Sequence, residues 1–249
     1  REIKVNAVIG PSPGYRILNV LEKVINGENI IDIWSGGSSP LIPPTNKYLN
    51  VVEPIGIAFG CLDNCAFCAT RFARSTLSSQ DPDKIIKHII MCLEKGVKEF
   101  LLTAPDTGAY GFDLKPRISI VELLHKIEEI EGEFFVRLGM MNPRWARKWL
   151  DEMIEIFRNS RHLFKYLHIP VQCGSDKLLR IMNRSHTVED YIYVTERMRR
   201  EVDKKFTIAT DIIIGHPGEE ERDVEMTIEL IKKVSRLLLL LLDLIDQSV

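Results

Sequence analysis

The sequence predicts an α/β fold, a partial TIM-like (βα)6 barrel, on three observations. The chain has 249 residues, 45% hydrophobic and 27% charged, which is the composition of an ordinary folded domain with a sizeable core. From residue 51 onward, short apolar runs alternate with amphipathic segments about six times, the pattern of parallel strands joined by helices. The runs themselves are apolar without strict alternation, as expected of buried parallel strands.

Residues 1–50 stand outside that rhythm. Asn6 to Gly10 reads as a strand and Tyr15 to Ile25 as a helix ended by Asn26-Gly27, followed by the linker-like stretch Ser35-Gly-Gly-Ser-Ser-Pro-Leu-Ile-Pro-Pro44. The expected division is 1–34 as the end of an upstream α/β domain, 35–50 as a connector and 51–249 as the barrel. Strands are expected at Pro54 to Phe59, Val97 to Thr103, Phe134 to Met140, Phe164 to Pro170, Phe206 to Ile214 and the closing leucines. The first helix between them has the clearest signals. Asp81 can cap it, Pro82 suits its first turn, and Ile85, Ile86, Ile89, Ile90 and Leu93 form one apolar stripe ending at Gly96. Further helices are expected from Ile118 to Ile130, Pro143 to Phe157, Ser175 to Met182, Val188 to Val202 and Glu219 to Val234. No repeat of fixed period occurs beyond the βα alternation.

Composition narrows the function classes. The net charge is -2, so nucleic-acid affinity must come from a local patch or from parts outside this sequence. The longest pure apolar run, Leu237 to Leu242, suits one strand and is too short for a membrane span. The sequence starts at Arg1 without a signal-peptide pattern, and reads as a fragment of a larger cytoplasmic protein. Five cysteines is an odd count, and Cys61, Cys65 and Cys68 crowd into eight residues. Such a cluster favours a metal site in a reducing compartment over disulfides.

Cys61-Leu-Asp-Asn-Cys65-Ala-Phe-Cys68 follows directly on the first expected strand of the barrel. In a βα barrel that position is a loop at the C-terminal, functional face. Three thiolates on one short loop can hold three irons of a [4Fe–4S] cluster and leave the fourth open to a small molecule. Zinc is the alternative, although three Cys without a nearby His or fourth Cys fit a closed tetrahedral site poorly.

The CxxxCxxC loop, with an aromatic before its last Cys, resembles the signature of the radical S-adenosylmethionine enzymes. Within them the chain is similar to the methylthiotransferases, most of all to the archaeal and eukaryotic branch acting on N6-threonylcarbamoyladenosine in tRNA. Five segments carry the likeness: Gly60-Cys-Leu-Asp-Asn-Cys-Ala-Phe-Cys-Ala-Thr-Arg-Phe-Ala-Arg74, Leu102-Thr-Ala-Pro-Asp-Thr-Gly-Ala-Tyr-Gly111, Arg137-Leu-Gly-Met-Met-Asn-Pro143, His168-Ile-Pro-Val-Gln-Cys-Gly-Ser-Asp176 and Thr210-Asp-Ile-Ile-Ile-Gly-His-Pro-Gly-Glu219. The resemblance implies that Cys61, Cys65 and Cys68 ligate a [4Fe–4S] cluster whose open iron takes S-adenosylmethionine. It implies that Phe67 lies near the adenine, that Thr103 to Asp106 receives the methionine amino group, and that Gly215 to Glu219, with Gly215 and Gly218, passes near the adenine. Arg184 matches a basic position of the family, facing substrate or the S-adenosylmethionine carboxylate; read on its own it is a solvated helix-end cation. The resemblance further implies a second [4Fe–4S] cluster in an N-terminal domain of which residues 1–34 are the end. A C-terminal RNA-binding module, tRNA with its anticodon loop as substrate, and an electron donor such as a flavodoxin or ferredoxin complete the implied equipment. Ser75, Ser78, Pro105, Cys173 and His216 depart from the usual pattern.

The remaining candidates have blander readings. Cys92 and Cys173 read as packing residues, His88 and His125 as helix surface residues, and His168 as a strand end that faces the barrel mouth. Arg144, Arg147 and Lys148 beside Trp145 and Trp149, and the group Arg197, Arg199 and Arg200, read as solvated basic faces, with phosphate contact as the alternative. No residue is assigned as a general base, because the cofactor would carry the hard step. Two other functions compete with methylthiolation of that adenosine. One is a radical enzyme of another reaction type, such as one acting on isopentenyl-adenosine or a ribosomal protein, and the other is a non-catalytic metal or RNA-binding module.

Overall fold

A computed structural model describes residues 5–10, 16–33, 51–73, 76–234 and 237–243. The expected connector at 35–50 lies outside them. Ahead of it, strands β1 (Ala7–Ile9) and β2 (Ile30–Asp32) pair in parallel around helix α1 (Arg16–Ile25). The Arg16 guanidinium donates to both Asp32 carboxylate oxygens, at 2.5 and 3.1 Å. Sequence reading missed β2, a three-residue strand too short to show a period. Leu18, Ile25, Ile31 and Ile33 remain exposed.

The barrel strands are β3 (Val52–Gly56), β6 (Glu99–Thr103), β7 (Phe135–Leu138), β8 (Tyr166–His168), β9 (Thr207–Ile214) and β10 (Leu237–Asp243). β3, β6 and β7 form one parallel sheet, and β8, β9 and β10 another. A parallel bridge between Val136 and Leu163 joins them, with Val136 N–H donating to the His162 carbonyl at 2.8 Å. The result is the expected six-stranded parallel array in sequence order, and no pairing among the described residues closes β10 onto β3. A short antiparallel pair, β4 (Ala58–Phe59) with β5 (Ser78–Ser79), flanks the loop that carries the three cysteines, and helix α2 (Thr70–Ala73) ends that loop.

The connecting helices are α3 (Pro82–Glu94), α4 (Ile120–Glu128), α5 (Pro143–Lys148), α6 (Leu150–Asn159), α7 (Asp176–Ile181), α8 (Val188–Glu201) and α9 (Glu221–Lys233). Local chemistry explains their starts. Asp81 accepts from the N–H groups of Asp83 and Lys84, while Ser119 with Glu122 and Thr187 with Asp190 form capping boxes. The single helix expected from Pro143 to Phe157 is instead two helices meeting at Trp149. Apolar residues on both sides hide that break from a periodicity argument.

Two expectations about burial need correction. The strands are not buried evenly on both faces: in β6, Phe100 and Leu102 are fully buried while Glu99, Leu101 and Thr103 are half-exposed. Alternate residues therefore face the helices, and the rest face an open interior. His88 is not a surface residue, since it turns inward from α3 and is 6% exposed. His125 is exposed as expected, and Cys92 and Cys173 are fully buried.

Leu102 sits in the middle strand of its sheet with no exposure. We predict that Leu102→Ala destabilises the protein by about 2–5 kcal/mol, whereas Ser119→Ala, which removes one cap, costs about 1 kcal/mol; urea denaturation of both variants checks the ranking.

Candidate cluster and cofactor site

The three-cysteine loop begins at Gly60, whose φ of +72° favours glycine. A Cβ there would lie 2.1 Å from the Thr76 carbonyl oxygen, so no other residue fits without moving the backbone. Beyond it, Cys61, Cys65 and Cys68 are all half-exposed free thiols. The loop is tied down at four points. Ala66 N–H donates to the Met182 carbonyl at 3.0 Å, and Asn183 Nδ2 donates to the Asn64 carbonyl at 2.6 Å. Arg184 donates through Nη1 to Cys65 Sγ at 3.2 Å and through Nη2 to the Pro170 carbonyl at 2.9 Å. Arg184 is thus a half-buried clamp on a cysteine sulfur, and the solvated-cation reading is wrong.

Asp63 provides the fourth tie. Its carboxylate accepts from Arg144 Nη2 at 2.6 Å and from Asn142 Nδ2, while its backbone N–H donates to Cys61 Sγ at 3.3 Å. Arg144 also stacks on Trp145, 4.3 Å from the ring centroid. Arg144 therefore works inside the protein rather than on a solvated face. Neighbouring Arg147 lies over Tyr193 at 4.4 Å and 3.7 Å from Asp190, and Lys148 lies 4.6 Å from the Trp149 ring. In the second basic group, Arg197 binds Glu201 and Asp151.

Asp106, at the end of β6, is 3% exposed. Its Oδ1 accepts from the N–H groups of Gly108 and Asn142, both at 3.1 Å, while Oδ2 is buried with no partner. Burial above all, with the Asp63 charge adding to it, raises its pKa to about 7 against the Asn142 and Gly108 N–H donors and the Arg144 charge, which lower it. Burial also pushes the Cys61 thiol up to about 11, with the Asp106, Asp63 and Cys65 charges adding to the rise. A bound cation reverses that preference, because a metal deprotonates the thiol it binds.

The donor set decides between a cluster and one ion. Four ligands around a single zinc lie about 3.8 Å apart when they are sulfurs at 2.3 Å. Ligand atoms within 4.8 Å of one another group Cys61 with Asp63 and Asp106, not with Cys65 and Cys68. As they stand, the three thiols therefore do not surround one ion, and three thiolates with no fourth Cys beside them are a donor set that suits an iron–sulfur cube with one open corner.

The other expected residues gather on the same side. Phe67 packs against buried Cys173, Leu178, Leu179, Met182 and Ile213, and meets the His216 ring edge-on at 6.5 Å. Thr103 donates to the Ile55 carbonyl at 3.3 Å. Gly215 and Gly218 both have positive φ, which favours glycine, and Gly215 N–H donates to Glu219 Oε2 at 2.5 Å. His168 does face inward, with Nε2 2.9 Å from Asp211 Oδ1. Sequence reading missed Asp63, Asn142, Asn183 and Asp211, since each is a polar residue whose meaning lies in a partner far along the chain. Arg74 and Ser75 lie outside the described residues.

Residues 55–231 match the model of the radical SAM superfamily. The chain is 39% identical over 238 residues to a Pyrococcus horikoshii protein named "Probable threonylcarbamoyladenosine tRNA methylthiotransferase", covering 93% of this chain and 54% of that one. It is 35% identical over 240 residues to the threonylcarbamoyladenosine tRNA methylthiotransferase of Mus musculus, covering 93% and 41%. This chain thus spans about half the length of the relatives it matches. Among solved structures, the radical S-adenosylmethionine methyltransferase TsrM from Kitasatospora setae shares the fold, with a TM-score of 0.60 at 13% identity, covering 76% of this chain and 35% of that one. With a family match across most of the barrel and a three-thiol loop on its functional side, the chain belongs to the radical SAM superfamily.

Proposed function

We propose that the intact protein adds a methylthio group to C2 of N6-threonylcarbamoyladenosine at position 37 of tRNA. The observation that carries this reading is identity of 39% and 35% over 93% of the chain to relatives whose names state that class of tRNA substrate. Position 37 and the anticodon loop follow from the resemblance in the sequence. An adenine there is already unpaired, so bringing it to the barrel mouth costs less than extruding a base from a duplex.

Cys61, Cys65 and Cys68 would hold a [4Fe–4S] cluster, and the chemistry it supplies when bound is one-electron cleavage of S-adenosylmethionine to a carbon radical able to open an unactivated C–H bond. The protein's own groups bind and orient. Buried Asp106 Oδ2, unpartnered beside Cys61, suits the methionine ammonium, whose positive charge would hold the carboxylate ionised. Phe67 offers an edge to the adenine, the backbone at Gly215 and Gly218 allows its close approach, and Thr103 borders the Asp106 loop. Arg184 holds Cys65 and, as the resemblance implies, would meet the substrate or the ligand's carboxylate. The sulfur would come from a second cluster in an N-terminal domain. Residues 1–34 read as that domain's end, because a two-stranded unit with Leu18, Ile25, Ile31 and Ile33 exposed cannot bury its own apolar faces. A flavodoxin or ferredoxin would deliver electrons in a reducing cytoplasm; no described helix is long and apolar enough to cross a membrane.

Tests follow from these assignments. Nucleosides from cells lacking the parent gene, measured by mass spectrometry, should contain no 2-methylthio-N6-threonylcarbamoyladenosine; an undiminished level overturns the function. Anaerobically reconstituted Cys65→Ala should lose the four-iron cluster, as shown by iron and sulfide analysis. Asp106→Asn should keep its iron but bind S-adenosylmethionine about 10-fold or more weakly, the scale of one hydrogen bond to a charged group, as measured by equilibrium dialysis.

A further inference from the structure

A second group of ligating side chains lies away from the cysteine loop. Glu53 on β3 and His88 and Cys92 on α3 bring a carboxylate oxygen, an imidazole nitrogen and a sulfur within 4.8 Å of one another. His88 Nε2 is 3.1 Å from Glu53 Oε1 and 3.5 Å from Cys92 Sγ. His88 and Cys92 are four residues apart, one above the other on the helix. Their surroundings are apolar, because Ile55, Ile85, Ile89, Val97 and Phe100, all nearly or fully buried, occupy the same helix-on-sheet layer. Placing a carboxylate and an imidazole in such a layer is costly unless each is fully paired.

We propose that Glu53, His88 and Cys92 bind a zinc ion, with water in the fourth position. A tetrahedral zinc with nitrogen and oxygen ligands at about 2.0–2.1 Å and sulfur at about 2.3 Å separates nitrogen from oxygen by about 3.3 Å and nitrogen from sulfur by about 3.5 Å. The two distances given above match these edges without movement of the backbone. One thiolate, one imidazole and one carboxylate form a mixed donor set suited to zinc and poorly suited to magnesium or calcium, which take oxygen ligands. The Glu53 side chain is 18% exposed and gives the ion a way in. The site stands on the outer face of β3, whereas the cysteine loop follows the end of β4, so the inference does not depend on the proposed reaction. Such an ion would tie α3 to the first strand of the barrel, the strand that leads into the cysteine loop.

The test loads anaerobically reconstituted protein with zinc, the wild type and the Glu53, His88 and Cys92 variants carrying their cluster and Cys65→Ala lacking it, removes loosely held metal with a chelating resin and counts zinc per chain. The wild type and Cys65→Ala should each retain about one zinc, and Cys92→Ala and His88→Ala less than about a tenth. Glu53→Gln, at a partly exposed position where the amide has the carboxylate's shape, should weaken zinc binding about 10-fold or more. Added zinc should raise the melting temperature of the wild type but not of Cys92→Ser. A wild type that retains no zinc overturns the proposal, and so does zinc that survives Cys92→Ala and disappears with Cys65→Ala. In either case the three groups are a hydrogen-bonded trio only.

Discussion

Everything at this site depends on keeping three thiols spread across one short loop while most of the loop has no secondary structure of its own. The chain solves this with charge and backbone geometry, together with the packing of Phe67 against the buried group around Leu178 and Met182. Gly60 turns the chain where no side chain fits. Asp63 is then held by Arg144 and Asn142 from the start of α5, and Cys65 by Arg184 just after α7. The ties come from segments about 80 and 120 residues further along, so the loop's shape is set by parts of the chain far apart in sequence.

The same ties govern the electrostatics. Asp63 and Asp106 lie beside Cys61 and disfavour its thiolate, while Arg144 and Arg184 bring positive charge to the loop. Left alone, the buried Asp106 carboxylate and the Cys61 thiol resist ionisation; a cationic metal centre and a ligand ammonium would supply the charge they lack. Asn142 couples the two acids. Its side chain donates to Asp63, and its backbone N–H donates to Asp106. The cysteine loop and the loop after β6 are therefore one connected unit.

Much of the fold was legible in the sequence because the barrel repeats a simple rhythm: six apolar runs became six parallel strands in chain order, and Asp81, Ser119 and Thr187 cap their helices as their side chains suggest. What escaped has a common cause. The break at Trp149, the inward turn of His88 and the clamp by Arg184 are all decided by tertiary neighbours, which a local pattern does not contain. At the site, the cysteines announced themselves by spacing, and Asp106, Phe67 and the glycines through a resemblance. Asp63 lay inside the cysteine motif unremarked, since its two partners are some 80 residues further along the chain.

The central claim is that Cys61, Cys65 and Cys68 hold a four-iron cluster with one iron open to S-adenosylmethionine. Electron paramagnetic resonance of the reduced, reconstituted protein tests it most directly. The account predicts a cluster signal that shifts when S-adenosylmethionine is added. A signal unchanged by saturating S-adenosylmethionine, in protein shown to contain four irons, would contradict it.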